Sequence, residues 1–140
     1  VILEHFADNS EEKVLAEYRT NEGLPGMMLW GNLNHAYNEA TLGYHSKGGS
    51  NFSGVYHGTR NWTVPNLIGY MESHDEERLM FKNLTYGSSS GDYNVRDLAI
   101  ELDMMKMAGA FFFTIPGPKM IWQFGDLVQG SGDFLDPLGR

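Results

Sequence analysis

The chain has 140 residues, of which 41% are hydrophobic, so it is long enough for one ordinary domain with an apolar core. Its formal net charge of −8 argues against nucleic acid as a partner, because contacts to phosphate groups need a basic surface. The absence of Cys excludes disulfides, thiolate zinc sites and a cysteine nucleophile. No apolar run reaches the ~18 residues that a membrane span needs.

Four short apolar runs predict four β-strands, and polar side chains accompany the end of each one. The first run, residues 1–6, contains Glu4, and the second, residues 27–30, leads into Asn32. The third run, residues 67–71, changes at once into the ionisable segment 72–78, and the fourth, residues 120–124, leads into Asp126. Each predicted strand therefore ends beside groups that can bind a ligand or transfer a proton.

Helices and loops are predicted between these strands. Asp8, Asn9 and Ser10 are possible caps of a first helix, and helical spacing of apolar residues predicts a long helix from Asn94 to about Thr114. The Gly-rich stretch 43–59 predicts a long surface loop, and residues 128–140 predict a loop-like tail. The aromatic residues of this region, including Trp62, could either pin the loop to the body or stack on a flat ligand.

The alternation of strands with long crossovers predicts an α/β fold with parallel strands. Four such strands make half of an eight-stranded barrel or, alternatively, most of a small doubly wound sheet. The chain begins inside a predicted strand and without Met, so we expect it to be a piece of a larger protein. Parallel pairing would bring Glu4, Asn32, Asp75 and Asp126 to one end of the sheet.

Two carboxylates on rigid strand ends are the groups that glycoside hydrolysis uses. Glu4 follows an apolar run and lies beside Phe6, so we expect it to be the neutral acid. Asp75 lies between His74 and Arg78, which favours the ionised form and a role as charge stabiliser or nucleophile. The histidines form no tight ligand motif such as H-E-x-x-H, so we predict no metal and no cofactor.

The string Glu-Ser-His-Asp-Glu-Glu-Arg at residues 72–78 resembles the seventh-strand motif of the α-amylase family of glycoside hydrolases. Residues 1–4 are similar to the fifth-strand motif of that family, which ends in the catalytic Glu, and residues 114–126 resemble its run into the eighth strand. The three motifs occur in the family's order and cover most of the chain. Ser73 departs from the usual Asn, and Asp126 departs from the more frequent Glu.

This resemblance implies the C-terminal half, strands five to eight, of a (β/α)8 TIM barrel that acts on α-1,4-glucans with retention. It implies Glu4 as general acid/base, Asp75 as transition-state stabiliser and His74 as a hydroxyl donor, and it places the nucleophile in a segment upstream of Val1. We therefore expect this chain alone to be inactive. The candidate substrate-binding residues are His74, Arg78, Asn32, Trp30 and Asp126.

Hydrolysis and glucan branching share the glycosyl-enzyme step, so the sequence leaves both activities open. A polymer-degrading relative would work outside the cytoplasm and a branching enzyme inside, and of the two we favour the former. The alternative class is a non-catalytic relative of the barrel that binds carbohydrate or protein. An open half barrel also predicts self-association, because its edge strands and apolar interior would otherwise face water.

Overall fold

A computed structural model of the chain describes residues 1–44 and 48–122. In this part of the chain, four strands alternate with helices. The strands are β1 (Ile2–Leu3), β2 (Met28–Asn32), β3 (Leu67–Tyr70) and β4 (Lys119–Met120), and the α-helices are α1 (Asn9–Ala16), α2 (Asn34–Thr41), α3 (Leu79–Tyr86) and α4 (Leu98–Thr114). Short 3-10 helices cover Thr20–Glu22 and Ser53–Val55.

The four strands form one parallel sheet in the order β1-β2-β3-β4. This confirms the predicted α/β class and the predicted parallel pairing. The order follows the chain without a reversal, and it is compatible with half of a barrel. Since all four strands run the same way, their carboxyl ends meet at one edge, which we call the carboxyl edge: Glu4, Asn32, the segment 71–76 and residues 121–122 lie there.

The apolar core lies between one face of the sheet and the helices. Leu29 and Leu67 are paired in register on β2 and β3, and both belong to the buried cluster that includes Tyr37 of α2 and Phe112 of α4. Because side chains alternate along a strand, Trp30, Asn32, Ile68 and Tyr70 belong to the opposite face. The candidate site is therefore built on the face that the helices do not cover.

Two strand glycines allow the segment 53–55 to pack directly on the sheet. A Cβ on Gly31 would lie 2.9 Å from Cγ2 of Val55, and one on Gly69 would lie 3.0 Å from the same atom. Val55 is itself buried. The stretch predicted as the surface loop 43–59 thus contributes a residue to the core, and its residues 45–47 lie outside the described part of the chain.

Other elements differ in detail from the sequence prediction. Helix α3 was not predicted, because residues 79–86 offer no side-chain cap at Arg78. Helix α4 begins at Leu98, where Asp97 accepts a hydrogen bond from the Ala99 amide, and not at Asn94. Strand β4 begins one residue before the predicted run and ends at Met120, so residues 121–122 are not part of it. Residues 123–124, Asp126 and the tail 128–140 lie outside the described residues.

A buried polar network joins helices α2, α3 and α4. The Asn83 amide donates to Oε1 of Glu101 over 3.3 Å, and the Thr41 hydroxyl lies 3.1 Å from the Asn83 carbonyl oxygen. Glu101 is completely buried, and its Oε2 has no hydrogen-bond partner among the described residues. Burial raises the pKa of the Glu101 carboxyl to about 7, and the negative charge of Glu72 adds to this effect.

No helix within residues 1–44 and 48–122 combines the length and the apolar content that crossing a membrane requires.

Candidate functional site

The carboxyl edge brings together three of the predicted site residues. Nε2 of His74 lies 3.4 Å from Oδ1 of Asp75 and 3.9 Å from Oε1 of Glu4. Glu4 directly follows β1, whereas His74 and Asp75 lie in the turn after β3, so their proximity is a product of the parallel pairing. We call Glu4, His74 and Asp75 the rim triad.

The rim triad is open to solvent. The exposed fractions of the side chains are 39% for Glu4, 47% for His74 and 66% for Asp75. We expected an apolar environment around Glu4 from the sequence, but the described residues do not supply one, since Phe6 is itself exposed. The imidazole is the group that links the two carboxylates in this structure.

Aromatic rings flank the imidazole on two sides. The Trp30 indole lies 6.0 Å from the His74 ring, edge-on, and the Trp122 indole lies 5.8 Å from it. Tyr70, which packs edge-on against Trp30 at 5.2 Å, is almost fully buried. Burial and the charge of Glu76 raise the pKa of the Tyr70 phenol, so this group stays neutral. The rim triad thus lies beside an aromatic surface.

Glu76 ties the turn after β3 to the end of β2. One of its carboxylate oxygens accepts from the Asn32 amide, and the other accepts from the Ser73 hydroxyl. The Asn32 carbonyl oxygen accepts from the Asn34 amide N–H over 2.8 Å. Both functional groups of the Asn32 side chain are therefore engaged within the protein, and the two residues between Ser73 and Glu76 are held as a closed turn.

A buried carboxylate, that of Glu72, also stabilises the turn after β3. Glu72 is 6% exposed, and its Oε1 accepts from the Leu79 amide over 2.7 Å at the start of α3. Its Oε2 lies 3.5 Å from Nη1 of Arg78. Burial raises the pKa of the Glu72 carboxyl, while the Leu79 amide and the Arg78 guanidinium counteract that effect. This carboxylate positions the first turn of α3.

The predicted site residues therefore fall into three groups. Glu4, His74, Asp75 and Trp30 come together at the carboxyl edge. Asn32 and Arg78 lie near the same edge, but the Asn32 amide donates to Glu76 and the Arg78 guanidinium forms an ion pair with Glu72. Asp126 lies outside the described residues.

The atoms of the rim triad could also serve as cation ligands. One ligand atom from each residue lies within 4.8 Å of the others. Groups of this kind are common on protein surfaces without an ion, and all three side chains are exposed, so this geometry assigns no metal. His5 is not part of this group, and its Nε2 lies 3.2 Å from Oε1 of Glu11 on α1.

The sequence interpretation missed the supporting roles of Glu72, Ser73 and Glu76. All three lie inside the ionisable segment 72–78, but their type alone does not distinguish a solvated carboxylate from one that fixes a turn. Burial could have been anticipated only for Glu72, which directly follows the apolar run 67–71. The long-range partner of Glu76, Asn32, lies 44 residues away and depends on the sheet register.

Comparison with known proteins provides no assignment: no protein-family model matches the sequence, and no curated protein matches it.

Proposed function

We propose that this chain is part of a retaining glycosidase or transglycosidase that acts on α-1,4-glucans such as starch, glycogen or malto-oligosaccharides. The observation that carries the proposal is the rim triad, in which two carboxylates from different parallel strands meet at the carboxyl edge beside Trp30 and Trp122. Carboxylate pairs at strand ends are the reactive groups of most glycosidases. The resemblance motifs at residues 1–4 and 72–78 meet at the same edge.

In the proposed reaction Glu4 donates a proton to the oxygen of the leaving sugar and later accepts one from the incoming hydroxyl. Its exposed carboxyl can reach a glycosidic oxygen that lies over the carboxyl edge. Asp75 stabilises the positive charge that develops at the sugar carbon, a role that rests on the resemblance and on the position of its carboxylate 3.4 Å from the imidazole that also lies beside Glu4. His74 donates to a sugar hydroxyl from its position between them.

The aromatic surface supports a sugar as the ligand. The Trp30 and Trp122 rings offer flat apolar faces beside His74, and a pyranose ring presents C–H groups on one face and hydroxyl groups at its edge. The carboxylates and the imidazole supply partners for those hydroxyl groups. A ligand without hydroxyl groups would leave these polar side chains without partners.

The fold proposal is half of a (β/α)8 barrel, and it rests on the strand order β1-β2-β3-β4 together with the resemblance. In that arrangement the nucleophile belongs to an upstream segment, so the chain alone binds the glucan without cleaving it. Whether water or a sugar hydroxyl enters in the second step decides between hydrolysis and branching.

The test is calorimetric titration of the chain with maltoheptaose, combined with an assay for reducing ends released from soluble starch. We expect binding, no release of reducing ends, and at least a roughly tenfold loss of affinity in Asp75→Asn, because a charge-assisted hydrogen bond contributes ~1.5–3 kcal/mol. Asp103→Asn, an exposed acid on α4, is the matched control and should bind as the unchanged chain does.

Two results would contradict parts of this proposal. No binding of maltoheptaose, or binding that Asp75→Asn leaves unchanged, would refute the glucan site. Release of reducing ends that Glu4→Gln abolishes would support the enzyme but refute the upstream nucleophile. A protein that contains this chain with its upstream strands and binds glucan without turnover would support the non-catalytic alternative.

We also propose that the chain self-associates. Within the described residues β1 and β4 are the edges of the sheet, and Ile2, Met28 and Ile121 are exposed by 60%, 38% and 58%. Edge strands and exposed apolar side chains favour association with another copy. Light scattering at micromolar concentration should give a mass above that of a monomer, and a clean monomer would refute this expectation.

A further inference from the structure

Asn34, at the start of α2, contacts both ends of the turn after β3. Its side-chain Nδ2 lies 3.0 Å from the Met71 carbonyl oxygen and 3.4 Å from the Glu77 carbonyl oxygen. Met71 precedes and Glu77 follows the segment that carries His74 and Asp75. One amide group therefore joins the two ends of the segment that supplies two members of the rim triad.

The backbone of this turn has no regular structure to hold it. Residues 72–77 form no backbone–backbone hydrogen bond with any part of the chain that the structure describes. Side chains supply the restraints instead. Glu72 and Glu76 act from within the turn, whereas Asn34 acts from the neighbouring helix and binds the backbone itself. This contact fixes the ends of the turn relative to α2.

The partners of Asn34 fix the orientation of its amide. Backbone carbonyl oxygens only accept hydrogen bonds, so the NH2 group must face them and Oδ1 must point the other way. Oδ1 accepts from Nδ2 of Asn38, one helical turn later, over 2.7 Å. The backbone N–H of Asn34 donates to Oδ1 of Asn32 at the end of β2. Asn34 is thus held at its backbone and at both ends of its amide.

Asn38 supports this arrangement at a cost in stability. Its side chain is 2% exposed, and its Oδ1 has no hydrogen-bond partner among the described residues. A buried acceptor without a donor destabilises a fold, and an apolar side chain of similar size would avoid that loss. Local losses of this kind are typical of sites where function requires a fixed geometry. The unpaired Oδ1 of Asn38 is therefore a second, independent sign that the orientation of Asn34 matters.

We propose that Asn34 is a positioning residue of the proposed reaction. By holding both ends of the turn after β3, it sets where His74 and Asp75 lie relative to Glu4. Reacting groups need this precision, because a displacement of about 1 Å can slow a reaction about 100-fold. That these groups act on a glucan rests on the proposed function, whereas the hold on the turn rests on the contacts of Asn34.

The deciding variant is Asn34→Asp, which keeps the shape of the side chain and replaces its NH2 group by an oxygen. A carboxylate oxygen would then face the two carbonyl oxygens, and acceptors repel one another. Asn21→Asp is the matched control, because it adds the same charge to an exposed residue of the 3-10 helix Thr20–Glu22.

NMR signals of two side chains separate the position of the turn from the integrity of the fold. The His74 ring lies 6.0 Å from the Trp30 indole and 5.8 Å from the Trp122 indole, so ring currents make its C–H shifts sensitive to its position. Trp62 reports on the fold elsewhere, because it is 4% exposed and its Nε1–H donates to Asn9 at the start of α1.

The two signals should respond differently to Asn34→Asp. At one fixed pH, the variant should displace the His74 signals and leave the Trp62 indole signal in place. Hydrogen exchange of the amides at 73–77 should become roughly tenfold faster, because the turn loses two hydrogen bonds. Asn21→Asp should change none of these.

Binding supplies the functional measurement. In calorimetric titration with maltoheptaose, Asn34→Asp should lose affinity roughly tenfold, because the displaced His74 and Asp75 no longer meet the sugar hydroxyl groups. Asn21→Asp should bind as the unchanged chain does.

A second variant, Asn38→Leu, keeps the test decisive if Asn34→Asp does not fold. It removes the support of the Asn34 amide together with the unpaired buried Oδ1. The midpoint of thermal unfolding should therefore not fall, whereas the His74 signals should move and the affinity should drop as in Asn34→Asp. A purely structural role would make stability and affinity fall together.

The outcomes separate this proposal from the proposed function. Displaced His74 signals and weaker binding, with the Trp62 signal unchanged, would support Asn34 as a positioning residue. His74 signals that stay in place in the folded variants, or that move without a loss of affinity, would overturn it and leave the glucan site standing. If the unchanged chain binds no maltoheptaose, the proposed function fails, and the His74 signals and the exchange rates still decide whether Asn34 positions the turn.

Discussion

Glu101 makes the stability of this fold depend on pH, and Glu101→Gln should remove that dependence. The buried carboxyl has a pKa of about 7 in the folded protein, against an ordinary value of 4.5 in an unfolded chain. At ~1.4 kcal/mol for each pH unit between these values, ionisation lowers the free energy of unfolding by about 3 kcal/mol. Gln has the same shape and no charge in either state.

The sign follows from which state loses its proton first. Below about pH 4.5 the carboxyl is protonated in both states, so it does not lower the free energy of unfolding. As the pH rises towards 7, the unfolded chain ionises first, so unfolding becomes more favourable. Above about pH 7 the carboxyl is ionised in both states, and the free energy of unfolding stays about 3 kcal/mol lower than at low pH.

The assay is urea unfolding followed by circular dichroism at about pH 4, 6 and 8, for the unchanged chain and for Glu101→Gln. The contributions of other carboxyl groups cancel in the difference in free energy of unfolding between the two proteins. That difference should shift by about 3 kcal/mol in favour of the variant between pH 4 and pH 8. Asp103→Asn, exposed on the same helix, should give a difference that stays flat. A flat difference for Glu101→Gln would refute the reasoning.

Three further substitutions test local features of the fold. Gly26→Ala should cost more than ~3 kcal/mol of stability, because φ is +68° there and a Cβ would lie 2.0 Å from a backbone oxygen of α1. Gly23→Ala should cost only ~1–2 kcal/mol, because φ is +81° there but a Cβ would meet no other atom. Equal losses of the two variants in urea unfolding would contradict this. Glu76→Gln should speed hydrogen exchange of the amides at 73–77 and cost ~1–3 kcal/mol, because the carboxylate accepts from both Asn32 and Ser73 and Gln keeps only one acceptor oxygen. Glu77→Gln, which removes only a surface ion pair, should change little, and unchanged exchange in Glu76→Gln would show that the turn holds without the second acceptor. Asp97→Ala should cost ~1 kcal/mol through loss of the α4 cap, and an unchanged midpoint of thermal unfolding would contradict it.

Local patterns in the sequence determined where the strands lie and at which edge the polar groups meet. The apolar runs at 27–30 and 67–71 correspond to β2 and β3, and the crossover lengths predicted their parallel pairing. Parallel pairing alone places Glu4 and His74 at the same edge, so their proximity could be predicted. These features depend on side-chain periodicity and chain direction, and both can be read from neighbouring residues.

For most of the buried carboxylates, only the tertiary structure showed that they are buried. Glu12 and Glu101 are buried, yet in the sequence they resemble the exposed Glu11 and Glu22. Their environments depend on partners that lie far along the chain: Arg60 is 48 residues from Glu12. Burial of a charge depends on the packing of several elements at once, and for Glu12 these are α1 and the segment that contains Arg60.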